Sequence, residues 1–283
     1  MRKRILRNVL MACAVVALAG SASARYLVFW PPSGDVANWN DANTWLDVDA
    51  AWAPVSNPTA ADTVEIRDPD KKLIIDTYAE CQAFTGPGHQ SWSANSTVDV
   101  LSGGDLQVKT TGWGDVLHMG YAGEGTLTVN TGGSVHVQAN ASWEGGVTRL
   151  GGPVGCDALL NMQGGLYISD NALSLDEYNE GGTSRIQLDD GLVNIGWLNM
   201  GTGGSIDIVD GKMEIRADMS ASMPGWITGG KITGYGGAGT VEWDYGVTAP
   251  GVTTITAIPE PATIAMLGLG GLGAFFVRRF RIM

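Results

Sequence analysis

Between residues 98 and 215 the chain repeats one short pattern, and that pattern constrains the fold more than any other feature. An alternating apolar stretch runs into a glycine turn, and a second alternating stretch follows. Val98-Asp99-Val100 leads through Gly103-Gly104 to Leu106-Gln107-Val108, and Leu127-Thr128-Val129 leads through Gly132-Gly133 to Val135-His136-Val137. The same unit returns as Leu160-Asn161-Met162 with Leu166-Tyr167-Ile168, as Ile186-Gln187-Leu188 with Val193-Asn194-Ile195, and as Ile206-Asp207-Ile208 with Met213-Glu214-Ile215. The turn glycines fall at 103, 132, 164, 191 and 211, with spacings of 29, 32, 27 and 20 residues. Apolar stretches ending in glycine precede several units, at Leu117-His118-Met119-Gly120, Thr148-Arg149-Leu150-Gly151 and Leu198-Asn199-Met200-Gly201. One period therefore holds about three short strands and two or three corners.

Alternation sends successive side chains to opposite faces, so Leu127 and Val129 should point inward while Thr126 and Thr128 face out. Glycine at the turns permits positive φ. Two architectures fit. In a sandwich, the stretches would be hairpins joined across two sheets. In a solenoid, each period would be one coil, and equivalent apolar residues would stack. The regular order of the units favours the second. The expected fold is thus all-β, a parallel β-solenoid (β-helix) of Gly-rich repeats over 97–245. Residues 25–96, with Trp30, Trp39, Trp45 and Trp52, read as an N-terminal cap and first coils, and Trp226, Trp243 and Tyr245 as closing aromatics. Loops should protrude at Trp143 to Gly146 and Leu175 to Gly182. The order Asn38-Trp39, Trp45, Pro58 and Asp62-Thr63-Val64 resembles the opening of bacterial secreted solenoid proteins with autotransporter-type repeats, which implies fold only.

Both ends carry targeting patterns. Arg2, Lys3, Arg4 and Arg7 precede an apolar stretch from Val9 to Leu18, and Ala22-Ser23-Ala24 is a small-residue cleavage site. This predicts a signal peptide over 1–24, use of the general secretion machinery, and a mature start at Arg25. Residues 246–257, rich in Thr, Pro and Gly, read as a linker that holds the passenger off the membrane. Pro259-Glu260-Pro261 follows. Proline fixes φ and lacks a donor, so the triplet should be a stiff, exposed strip. Ala262 to Val277 carries no charge, and its 16 residues would span roughly 24 Å as a helix, slightly short of a hydrocarbon core of about 30 Å. Arg278, Arg279 and Arg281 should then stay cytoplasmic.

A Pro-Glu-Pro triplet, a short apolar helix over 262–277 and a basic end, in that order, resemble the sorting tail of the PEP-CTERM proteins of Gram-negative bacteria. The match covers 258–283. The resemblance implies handling by an exosortase, a membrane-embedded cysteine transpeptidase-like enzyme, with cleavage near Pro259-Glu260-Pro261. It further implies an inner-membrane-anchored precursor, held by its C-terminal helix, and delivery to the envelope, outer surface or extracellular matrix.

Composition narrows the function. Setting aside four basic residues in the signal, and three basic residues and Glu260 in the tail, leaves 10 basic against 28 acidic residues, a net charge of −18. Such a surface repels nucleic acid and anionic polymers. Cys81 and Cys156 could pair in an oxidising compartment, although sequence does not show whether they meet. His89, His118 and His136 lack ligand spacing relative to them, so no metal or cofactor is expected. Asp189-Asp190 and Asp176-Glu177 are the best candidates for paired-carboxylate chemistry. The first pair sits at a turn, where Asp is expected anyway, and the second reads as a solvated patch. Neighbours on a strand also face opposite ways. Trp92, Trp113 and Trp143 are the candidates for stacking on sugars. The expectation is a non-enzymatic surface or matrix protein, structural or adhesive, that contacts exopolysaccharide or envelope proteins. The alternative is a polysaccharide-binding or polysaccharide-degrading β-helix protein.

Overall fold

The alternating stretches become strands whose hydrogen-bond partners lie one period away rather than across the glycine turn. The computed structural model describes residues 24–31, 34–41, 43–66, 70–86, 95–109, 114–120, 123–139, 145–176 and 181–260. Three parallel ladders run through it. The first joins β2 (Val36–Asn38), β6 (Lys72–Ile75), β9 (Ser96–Val100), β12 (Glu124–Asn130), the starts of β15 (Asp157–Leu175) and β16 (Thr183–Met200), β17 (Gly204–Ile208) and β19 (Ile232–Gly234). The second joins β7 (Tyr78–Cys81), β10 (Asp105–Lys109), β13 (Ser134–Gln138), the middles of β15 and β16, and β18 (Lys212–Ile215). The third joins β1 (Tyr26–Phe29), β5 (Thr63–Glu65), β8 (Ala83–Thr85), β11 (Gly114–Met119), β14 (Gly145–Leu150) and the ends of β15 and β16.

Register follows burial, because a slip of one residue would turn a whole apolar set to solvent. In the first ladder Leu73, Val98, Leu127, Leu160, Ile186, Ile206 and Ile232 stand in one column, and all are buried. In the third, Leu27, Val64, Phe84, Leu117, Thr148, Leu173 and Leu198 do the same. Hairpins across the glycine turns, the sandwich alternative, are not formed within these units.

The expected fold class nevertheless needs correction. The described strands form one mixed sheet of 21 strands, not a purely parallel array. At the N-terminal end β3 (Trp45–Asp47) lies antiparallel to β1, and β4 (Ala53–Val55) antiparallel to β3. At the other end the chain closes a ring. β20 (Gly239–Tyr245) and β21 (Thr253–Pro259) pair antiparallel, β20 also pairs antiparallel with the end of β19, and β21 returns antiparallel against β18. The order β16, β17, β19, β20, β21, β18 and back to β16 is a closed barrel of six strands. The physical reason is the ladder edge. A parallel stack leaves unpaired backbone groups at its last rung, and antiparallel return strands cover them.

No helix among the described residues is long and apolar enough to cross a membrane. The expected span at 262–277 lies outside those residues. The one described α-helix, α1 (Met223–Thr228), is six residues long. At the N-terminal end the core is aromatic. Trp39 and Trp45 are buried with ring centroids 4.9 Å apart, Phe29 lies 5.4 Å from Trp45, and the Trp45 indole N–H donates to the Trp39 carbonyl at 2.9 Å. Trp30 and Trp52 are about half exposed. At the other end Trp226 and Trp243 pack against the core and Tyr245 faces solvent.

Candidate functional site

The sorting triplet starts inside the closed barrel. The segment expected to be a linker ends in β21, where Thr253 and Ile255 are fully buried. Ile255 pairs with Trp243 on one side and Met213 on the other. Ala257, packed on the core, pairs with Val241; Ile258 lies opposite Thr240 and Pro259 opposite Gly239. Pro259 is thus partly buried rather than part of an exposed strip, while Glu260 is exposed. Pro261, Arg278, Arg279 and Arg281 lie outside the described residues. A signal for β21 was present in the sequence. Six of the seven residues from Val252 to Ile258 are β-branched, a composition that favours strands, but Gly246, Pro250 and Gly251 drew the reading towards a linker.

At the other end, Ala22 lies outside the described residues and Ala24 is exposed. Arg25, the expected mature start, is tied into the fold. Its backbone N–H and its Nε each donate to Asp62 Oδ1 at 3.0 Å, and its Nη2 donates to Asp62 Oδ2 at 2.5 Å. The Asp62 side chain is only 1% exposed. Burial pushes its carboxyl pKa up, but hydrogen bonds from Arg25 and from Thr59 outweigh this and hold it below the ordinary value.

The described members of the carboxylate pairs are hydrogen-bonded to neighbouring groups of the chain. Asp190 Oδ1 accepts from the Gly191 N–H at 2.6 Å, and Asp189 accepts from Gln187 at 2.7 Å, so both serve the turn. Asp176 is buried rather than solvated, and its Oδ2 accepts from the Gly203 N–H at 2.7 Å; Glu177 lies outside the described residues. A charged cluster that the sequence did not reveal stands at the corner after the second ladder. Asp170 Oδ1 lies 3.1 Å from His136 Nε2 and 3.7 Å from Arg216 Nη2, and its Oδ2 accepts from the Ala139 N–H at 3.3 Å. Residues from three turns converge there, Arg216 reaching back past β16 to Asp170 on β15.

Cys81 and Cys156 are both buried, and no disulfide joins them. Burial pushes the Cys81 thiol pKa far up, with Asp62 and Glu80 adding to the effect, so it is a poor nucleophile. Among the described residues no group of three His, Cys, Asp or Glu could hold a metal ion. His89 lies outside the described residues.

A groove of about 340 Å³ lies between the end of β16 and α1, lined by Trp197, Asn199, Met219, Ser222 and Trp226 among others. Trp197 is 45% exposed. Its indole N–H donates to Asn199 Oδ1 at 2.9 Å, and Asn199 Nδ2 donates to Ser174 Oγ at 3.2 Å, which holds the ring in place. The sequence does hint at Trp197, because it precedes the buried Leu198 and so takes an outward position. Trp92, Trp113 and Trp143, the aromatics expected to meet sugars, lie outside the described residues.

The model of the PEP-CTERM protein-sorting motif matches residues 257–281. The chain therefore carries that motif, which marks an exported protein sorted through its C-terminal tail and implies processing by an exosortase. No curated protein and no solved structure matches the chain.

Proposed function

We propose that this is a structural or adhesive protein of the cell surface or extracellular matrix, whose sides contact exopolysaccharide or other envelope components. The observation that carries the reading is the union of an envelope-sorting motif with an all-β body built on one 21-stranded sheet. The sheet offers outward-facing polar side chains, and the acidic charge favours solubility. The Trp197–Trp226 groove supports a saccharide contact within this role. An indole face and a fixed amide are the two elements that a sugar ring engages, one by its C–H face and one by its hydroxyls. The corner cluster at Asp170 supports a structural role over a catalytic one, since one of its oxygens accepts from a backbone N–H and the other lies beside Arg216 and His136.

Fractionation of cells expressing the full chain, with mass spectrometry of the mature termini, tests the destination. Binding of the purified passenger to the host's own exopolysaccharide tests the role. Recovery of the chain in the cytoplasm would sink the reading. So would depolymerisation of the polysaccharide by the purified protein.

A further inference from the structure

Ala257, Ile258 and Pro259 belong at once to β21 and to the matched sorting motif. There is no spacer between the closed barrel and the segment that the processing enzyme must read. The pairing is also finite. Proline has no N–H to give to a ladder, so Pro259 cannot extend the pairing as a donor, and β21 ends there. Two glycines shape that end. A Cβ on Gly234 would stand 2.7 Å from the Ala257 Cβ, and one on Gly239 would stand 2.8 Å from the Ile258 carbonyl oxygen. The last rungs close tightly because both positions lack a side chain.

We infer that the β20–β21 pairing fixes where this chain is processed, and that parting of the pairs Thr240–Ile258 and Gly239–Pro259 is the step that admits the enzyme. This rests on the reading that the motif is processed. From Thr253 to Ile255 a peptide bond of β21 has neighbours on both sides, β20 and β18, and from Thr256 on it is still paired with β20. A cut there would remove a wall of the barrel, and its backbone groups are already engaged. Beyond Ile258 only the final pair holds the chain. Fraying of strand ends is the least costly opening a fold offers. The peptide bond broken at the triplet passes its carbonyl carbon to water or to an amine, and the departing tail keeps the new amino group. The mature chain then retains all of β21, the barrel stays closed, and the new C-terminus lies flush with it.

The test uses the full-length precursor in a host that exports and processes it. Thr240 and Ile258 are directly opposite and both exposed, so Thr240→Cys with Ile258→Cys places two thiols where a disulfide can staple the end shut. Mass spectrometry confirms the staple, and a raised melting temperature confirms the fold. We expect processing of the stapled chain to slow by at least about tenfold and to recover on reduction. A second variant inserts a Gly-Ser spacer between Ile258 and Pro259. It frees the triplet while leaving the barrel intact, and processing should speed up with the cut still at the triplet. An unchanged rate in either variant, or a mature C-terminus within 253–257, overturns the inference. If instead the unaltered chain is not processed, or is processed equally well with Pro259, Glu260 and Pro261 all changed to Ala, the underlying reading of the motif fails and takes the inference with it.

Discussion

Thr148 Oγ1 and the Tyr167 hydroxyl lie 2.6 Å apart in the core, joining the third ladder to the second. Thr148 is the one polar member of its buried column and is fully enclosed, as is Tyr167. Each is the other's partner, and burial drives the Tyr167 hydroxyl pKa well up, so it stays neutral. Tyr167→Phe should cost about 1–3 kcal/mol, because a buried hydroxyl loses its bond while the shape is kept. Adding Thr148→Val removes the orphan and should recover part of the loss. Urea unfolding of the single and double variants measures the coupling, and simple additivity would show that the bond contributes nothing.

The Arg25–Asp62 contact should give the fold an acid limit. The folded Asp62 pKa lies below its unfolded value of about 3.9. Its stabilising contribution is therefore complete above that unfolded value and is lost as pH falls through the folded one. Melting temperature followed from pH 6 downwards should drop less in Asp62→Asn than in the unaltered chain. At pH 6 that variant should already be about 2–3 kcal/mol less stable, since it leaves Arg25 without its charge partner.

How much of this was readable from sequence depends on what fixes each element. The column through Leu127 was legible because period-two burial and glycine spacing allow few other registers. The one through Tyr167 was not, because alternation marks Leu166 and Ile168 as the inward pair, yet Tyr167 and Ser169 are the buried residues and Leu166 and Ile168 are half-buried. Nor was the closure. Gly234–Gly239 and Trp243–Ile255 are antiparallel pairs between segments of irregular spacing, and nothing local specifies that β21 returns against Met213. Asp176 looked solvated because its neighbours are polar, yet the chain folds it back onto the Gly203 N–H. The Asp170 corner depends on residues from three turns, 34 and 46 positions away from it, and no local pattern links them.

Gly132 and Thr128 sit four residues apart and should respond very differently to the same side chain. Gly132 has φ +79°, and a Cβ there would come within 2.8 Å of Ser102 Oγ on the preceding rung. A β-branched residue is strained at that φ and crowds the stack, so Gly132→Val should cost roughly 2–3 kcal/mol. Thr128 points outward on β12, and Thr128→Val should change stability by less than about 0.5 kcal/mol. Thermal melts of the two variants decide it. Equal losses would mean that the turn does not govern stacking.

Trp197 separates binding from stability. The side chain is nearly half exposed, and its indole N–H bond to Asn199 is at the surface. Trp197→Ala should therefore shift stability by no more than about 1 kcal/mol. If the groove seats a sugar ring, loss of the indole face should weaken binding to the host exopolysaccharide by about tenfold, or ~1.4 kcal/mol. Trp197→Phe keeps a flat ring and should retain more than Trp197→Ala. Calorimetry or co-sedimentation with the polymer reads the difference. Equal affinity in all three chains would move the adhesive contact away from the groove and onto the ladders, where the outward Thr, Asn and Asp side chains recur rung after rung.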